Sequence, residues 1–317
     1  MDYEFSSAIS SPVLVIGAAV QDIVGITRGN LSPGTSSPGK IRKSFGGVAR
    51  NVAENLARLG QPVILLTVVG QDETGESILE YLGSAGVDVS FVMRHTKRST
   101  GTYLALVDEK GWLQYAMADV RILSALTPAY LDLHSDLFSK ASLVFIDANL
   151  NKDVIRKIFT LARAAKVPIC ADPTSILLAD RFKPYLKRIK IITPNILEAE
   201  ILCGFPIDPF NRQEALDAAK CLVTSGVEIS IITLAELGVC YATSETTGQV
   251  PALRTQVVDP TGGGDALTAA VIFALLNGVP LDDAIRLGIS ASSLTLQYSG
   301  TVVPDLSLEK LYDRLVI

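Results

Sequence analysis

The sequence predicts a three-layer α/β fold, with a central, mostly parallel sheet between layers of helices and a small β-lid outside it. Three observations carry this expectation. Short apolar runs recur at residues 13–16, 63–66, 143–146, 167–170, 189–192 and 229–232, each bounded by turn residues. Segments with apolar residues every three or four positions lie between them. One stretch breaks that alternation with a hairpin pattern.

The elements follow in order. Residues 1–11 read as a loose extension ahead of one domain spanning 12–317. The run Val13, Leu14, Val15 and Ile16 has no polar alternation, as expected of a strand covered on both faces, and its five counterparts read the same way. Residues 29–39, rich in Ser, Pro and Gly, predict a mobile loop. Val48, Val52, Leu56 and Leu59 make the apolar stripe of a helix that Gly60 stops. Residues 102–107 and 112–117, joined by Asp108, Glu109, Lys110 and Gly111, predict a β-hairpin. With the first segment they give a lid over about 23–45 and 94–120. Ile155, Ile158, Phe159 and Ala162 form a second helical stripe, and Ala215, Ala218, Ala219 and Leu222 a third. Residues 266–276 are apolar on all sides, which predicts a buried helix.

Composition narrows the function classes. The chain has 317 residues, 48% apolar and 19% charged, with a formal net charge of −5. That excludes intrinsic disorder and argues against a sequence-independent grip on nucleic acid, which needs a basic surface. No run approaches the ~20 apolar residues of a membrane span. The acidic start, Met-Asp-Tyr-Glu-Phe, lacks the positive charge of a secretory signal. Cys170, Cys203, Cys221 and Cys240 form no C-x-x-C, and His95 and His134 are the only histidines, which disfavours a zinc cluster or a disulfide framework and suits a reducing cytoplasm. The chemistry must come from carboxylates, amides and glycines.

The most informative segment is Asp259-Pro-Thr-Gly-Gly-Gly-Asp265, directly before the buried helix. Three glycines let successive N–H groups converge, and a helix start adds its dipole, so Gly262, Gly263 and Gly264 read as a site for phosphate or developing negative charge. Asp265 then sits at the mouth of that site, although an Asp in a first helical turn also serves as a plain capping residue. A buried helix opened by glycines favours a docking anion. The segment resembles the D-T-x-G-A-G-D signature of the ribokinase-like (PfkB) carbohydrate kinases, with Pro260 and Gly263 as departures that remove no amide from the nest. The resemblance implies that Asp265 deprotonates the acceptor hydroxyl, and that the glycine amides receive the γ-phosphoryl group. It also implies that Asp259 belongs to a loop holding a monovalent cation, K⁺.

Further segments match in the same order. Gly46-Gly47-Val-Ala-Arg-Asn51, running on to Gly60, resembles the family's G-G-x-x-x-N pattern, which implies sugar contacts from Gly46, Gly47 and Asn51; taken alone it is a helix start with a flexible entry. Asp22, beyond the first strand, matches the sugar-binding Asp of the family and is otherwise a turn residue. Asn149 falls where relatives carry a polar sugar contact. Thr193-Pro-Asn195-Ile-Leu-Glu198 resembles N-x-x-E, implying that Asn195 reaches nucleotide phosphates and that Glu198 organises Mg²⁺ through water; its plain reading is an ordinary helix N-terminus. Thr233-Leu-Ala-Glu-Leu-Gly238 resembles T-L-G-x-x-G beside the nucleotide, with Ala235 in place of the first Gly. The likeness covers nearly the whole chain and implies an ATP-dependent kinase with a ribokinase-like fold, using ATP, Mg²⁺ and K⁺.

Ser37-Pro-Gly-Lys-Ile41, Ala171-Asp-Pro-Thr-Ser175, Pro194-Asn-Ile-Leu-Glu-Ala-Glu200 and Pro304-Asp-Leu-Ser307 are similar to the bacterial pseudouridine-kinase branch. This implies the 5′-hydroxyl of pseudouridine as acceptor. A kinase for another nucleoside, or for ribose, fructose or 2-keto-3-deoxygluconate, is the alternative, and a sugar or nucleoside sensor without chemistry is the rival from another class. The lids would allow a homodimer; a monomer is equally compatible. No dinucleotide or Walker fingerprint is present.

Overall fold

The computed structural model describes residues 11–29, 34–109 and 113–316. Most of the expected N-terminal extension, part of the 29–39 loop and the tip of the hairpin, including Gly111 and Trp112, lie outside them.

The apolar runs form a nine-stranded central sheet. Its order is Thr247–Val250, Val239–Ala242, Ile229–Thr233, Ile191–Ile192, Ile169–Asp172, Leu143–Asp147, Val13–Ile16, Val63–Leu66, Val87–Asp88. Every pairing from Val87–Asp88 to Ile229–Thr233 is parallel, and the last two strands return antiparallel. Two strands start later than the runs suggested, Ile169–Asp172 by two residues and Ile191–Ile192 likewise, so the first carries its acid at the end.

Alternation along Val13–Ile16 splits the core. Val13 and Val15 pack with the helices Val48–Arg58, Gly263–Leu276 and Leu281–Leu296, whereas Leu14 and Ile16 pack with Lys152–Ala165 and Arg212–Thr224. Both faces are therefore covered, as continuous apolar strands require. The helix Gly263–Leu276 is the most enclosed, with Ala266, Leu267, Val271 and Ile272 at 3% exposure or less. Burial of each larger side chain stabilises by roughly 1.5–3 kcal/mol, which anchors the helix start that carries the glycines.

A separate four-stranded sheet runs Gly39–Gly46, Val20–Thr27, Gly101–Val107, Leu113–Asp119. It starts at Val20, so Asp22 lies on a strand of this sheet rather than in a turn, paired with Ser44 and Tyr103. Residues 93–95, at the edge of the expected lid range, instead pair with Val68–Gly70 in a two-stranded sheet. Among the described residues no helix is long and apolar enough to cross a membrane.

The chain leaves Val13–Ile16 in one direction for Val63–Leu66 and later returns on the other side with Leu143–Asp147. Such a reversal opens a crevice beyond the carboxyl ends of the strands. The four-stranded sheet, Asp147, Asp172 and the glycine-led helix meet there.

Candidate active site

The helix Gly263–Leu276 begins from Gly262, whose φ of 80° is left-handed and which provides no side-chain cap. A Cβ at Gly262 would lie 2.1 Å from the Thr301 carbonyl oxygen, so only glycine fits the turn. The N–H groups of Gly263, Gly264 and Asp265 have no intrahelical acceptor. Gly264 is exposed with open space where a side chain would be, so these donors are reachable. Gly263 is buried, and an added Cβ would come within 3.0 Å of Ser292 Oγ and 3.1 Å of Leu296 Cδ2. Both contacts are side-chain tips that can shift by a few tenths of an ångström. Gly263→Ala should therefore keep kcat within about tenfold of wild type, and a loss beyond ~10² in steady-state assays would mean that the turn itself has moved.

Asp265 stands half-buried in the first turn and accepts a hydrogen bond from Asn51 Nδ2 at 2.7 Å. The two meet because the helices Val48–Arg58 and Gly263–Leu276 pack together with both N-termini at the crevice. Burial pushes the Asp265 carboxyl up to about 7; the Asn51 bond opposes this, the charges of Asp147 and Asp22 add to it, and Arg50 opposes it. A carboxylate poised near neutrality suits proton transfer.

Asp22 is 8% exposed and also pushed up to about 7, chiefly by burial, with Arg50 pulling it down and Asp259 pushing it up. It lies directly over Gly46, where a Cβ would fall 2.1 Å from its Oδ2. Gly47 begins the next helix at φ 96°, with no room for a Cβ against the Ala18 carbonyl at 2.4 Å. The structure thus gathers Asp22, Gly46, Gly47, Asn51 and Asp265 at one crevice.

Arg50, which the motif reading passed over, ties this group together. It is 2% exposed and donates to Phe45 O at 3.0 Å, Asn51 Oδ1 at 2.7 Å and Thr301 Oγ1 at 3.0 Å, and it pairs with Glu54, which Arg58 also grips. Its bond orients the Asn51 amide so that Nδ2 faces Asp265. The sequence offered only the i, i+4 placement of Arg50 and Glu54, on the face opposite the Val48, Val52, Leu56 and Leu59 stripe, which reads as an ordinary exposed pair; tertiary packing buries it.

Asp147 is a second residue missed in the sequence. Fully buried at the end of its strand, its Oδ2 accepts N–H bonds from Ala18 at 2.7 Å and Ala49 at 3.2 Å, and its Oδ1 accepts one from Asn149 at 2.9 Å. Gly17 makes this possible, since a Cβ there would be 2.2 Å from Oδ2. Asn149 bonds Asp147 through its side chain as well, so it braces this acid at the rim of the crevice. Asp172 pairs in register with Asp147.

The residues expected to border a nucleotide line a cavity of about 940 Å³. Asn195, Thr233 and Gly238 line it, and it ends on Gly263 and Gly264. Asn195 and Glu198 form a reciprocal capping box on the helix Ile196–Cys203, with bonds of 3.0 and 2.9 Å, while the exposed Asn195 still borders the cavity. Ala235 has φ 48°, the left-handed region where glycine costs nothing and alanine about 1–2 kcal/mol, which explains the Gly in the T-L-G-x-x-G pattern.

Two cation sites meet different fates. Asp172 is pushed well above the usual carboxylate range by burial and then by the charge of Glu198, which is itself 4% exposed and raised by burial. Two close buried acids suit a hydrated divalent ion, which is held by few carboxylates because it keeps most of its waters. Asp259 does not fit its expected cation. Its Oδ2 is paired with the Arg42 guanidinium, and its Oδ1 accepts from Thr261 N at 3.0 Å and Thr261 Oγ1 at 2.5 Å.

An acid at the mouth of a buried helix, uncapped amides beside it and a nucleotide-sized cavity ending on them define a phosphotransferase that acts on an alcohol group. The chain belongs to the pfkB family of carbohydrate kinases, whose description, pfkB family carbohydrate kinase, matches residues 11–307. It is 33% identical over 297 residues to the pseudouridine kinase of Escherichia coli (strain K12), covering 93% of this chain and 94% of that one. To the guanosine-inosine kinase of Exiguobacterium acetylicum it is 29% identical over 297 residues, 93% and 97% of the two chains. Among solved structures, Arabidopsis thaliana ribokinase complexed with ribose and ATP superposes with a TM-score of 0.85 at 23% identity, covering 97% of this chain and 99% of that one, a likeness of fold. This chain is therefore a sugar or nucleoside kinase with a ribokinase-like fold.

Proposed function

We propose that the protein transfers the γ-phosphoryl group of ATP to the 5′-hydroxyl of pseudouridine, giving pseudouridine 5′-phosphate. The observation that carries the chemistry is Asp265, held by Asn51 beside uncapped helix amides. The likeness to the E. coli pseudouridine kinase, extending over 93% of the chain, supports the choice of acceptor.

In this reading Asp22, Gly46, Gly47 and Asn51 hold the ribose, and burial strengthens each hydrogen bond they make to it. Asp265 takes the proton of the 5′-hydroxyl as its oxygen attacks phosphorus and the bond to ADP breaks. The N–H groups of Gly263 and Gly264 face the charge on the group in transfer, fixed in place before the reaction begins. Asn195, Thr233 and Gly238 border the bound nucleotide. Asp172 and Glu198 would hold Mg²⁺ through its waters, and the ion would supply positive charge to the phosphate oxygens. The four-stranded sheet carrying Asp22 acts as a lid that excludes water as a competing acceptor.

ADP release with ATP and Mg²⁺, scored over pseudouridine, uridine, guanosine, inosine, ribose, fructose and 2-keto-3-deoxygluconate, tests the acceptor. Pseudouridine should give the highest kcat/KM by at least ~10-fold. A preference for guanosine or inosine would support the second reading, which the likeness to the guanosine-inosine kinase favours.

Ile41, Tyr115 and Met117 stand 73%, 68% and 68% exposed on strands of the lid, apolar surface that pairing of two lids would cover. Sedimentation velocity should show a dimer that Met117→Lys weakens; a wild-type monomer at working concentration removes this inference.

A further inference from the structure

Arg42 lies on Gly39–Gly46, two residues before Ser44, the partner of Asp22 across the strands. Alternation puts it on the same face of the lid as Asp22. From there its guanidinium pairs through Nη2 with Asp259 Oδ2, 217 positions away, and donates through Nη1 to Ser299 Oγ at 2.7 Å. Asp259 is 3% exposed, and among the described residues Arg42 is the cation paired with it. A carboxylate so enclosed needs a counter-charge to stay ionised in place. An alkali ion is one way to provide it. Here the position is filled by a side chain.

We propose that Arg42 is a positioning residue that acts through Asp259, taking the place of a monovalent cation beside the glycine turn, so that phosphoryl transfer needs no K⁺. Asp259 precedes Gly262 by three residues and fixes the turn through Thr261, whose N–H and hydroxyl it accepts. Neutralising it from the lid rather than from solution has a consequence. The turn that presents the amides reaches its settled form only when the lid strand is seated, and that strand's sheet also carries Asp22. Acceptor binding and readiness of the anion hole are then linked through one ion pair. The fork of a guanidinium suits this role, because two of its nitrogens reach two different loops, Asp259 and Ser299.

The inference rests on the kinase reading for its kinetic tests and stands apart from it for the others. Wild-type enzyme assayed with tetramethylammonium as sole monovalent cation should change kcat by less than about twofold when K⁺ is added. A larger rise overturns the proposal, and this arm needs no variant. Arg42→Ala should lose ~10²-fold in kcat with a smaller change in acceptor KM, and K⁺ or free guanidinium should restore part of it. Arg42→Lys should retain more activity than Arg42→Ala. Wild-type kcat in Arg42→Ala, or loss that no cation relieves, counts against it. Thermal melting of Arg42→Ala, Asp259→Asn and the double variant should be non-additive, and additive shifts sink the ion pair. If melting shows the coupling while no acceptor releases ADP, the kinase reading falls and the ion pair survives.

Discussion

Asp265→Asn should lower kcat by at least ~10² and leave acceptor KM little changed, because it removes the proton acceptor while keeping the shape of the site. Asn can still accept the bond from Asn51 Nδ2, so the helix contact persists. The pH profile gives a sharper reading. With its carboxyl at about 7, Asp265 gains activity as pH rises through that value and the base ionises, and the profile is flat above it. That limb should vanish from kcat in Asp265→Asn. Asp22 titrates near the same pH, so kcat/KM should keep a limb even in the variant.

Stability should move the opposite way. A carboxyl raised from 3.8 to about 7 binds its proton more tightly folded than unfolded. Stability is therefore full below the unfolded value and declines as pH rises from about 4 to 7. Removing the charge at Asp265 relieves that decline, so the variant should melt no lower than wild type at pH 8. A variant with unaltered kcat would refute the base assignment. One that melts much lower would show that the carboxylate serves the fold.

Gly262→Ala carries the second large effect. Its φ of 80° costs an alanine about 1–2 kcal/mol, and the new Cβ would press on the Thr301 carbonyl at 2.1 Å. Backbone cannot swing aside as a side-chain tip can, so the turn must open. Loss of alignment of one donor pair should reduce kcat by ~10²–10³, with a melting temperature several degrees lower. Gly264→Ala is the control, since its Cβ meets nothing within 4 Å and alanine favours the helix. Equal melting of the two variants would falsify the steric account.

Much of this was legible along the chain. The strand at 13–16, the helix stopped at Gly60 and the buried helix after Gly264 follow from local periodicity and turn chemistry, because each pattern is complete within about a dozen residues. The glycine nest was legible for the same reason. Arg50, Asp147 and Arg42 were not. Each is one polar residue whose role depends on partners far along the chain: Thr301 for Arg50, Ala18 for Asp147, Asp259 for Arg42. Asn149 stood out only by its likeness to a polar sugar contact of relatives, and its N–H bond to Asp147, two residues back, was not legible in that likeness.

By itself, then, the sequence determined the layered sheet, the family and the acid and amides at the helix mouth, since these reside in contiguous segments whose hydrogen-bonding needs are local. Only the tertiary structure decided how charge is shared at the crevice. Whether Asp265 sits near 7, whether Asn51 faces it and which cation meets Asp259 depend on burial and on side chains brought together from opposite ends of the chain, and Coulomb energies follow distance in space rather than along the sequence.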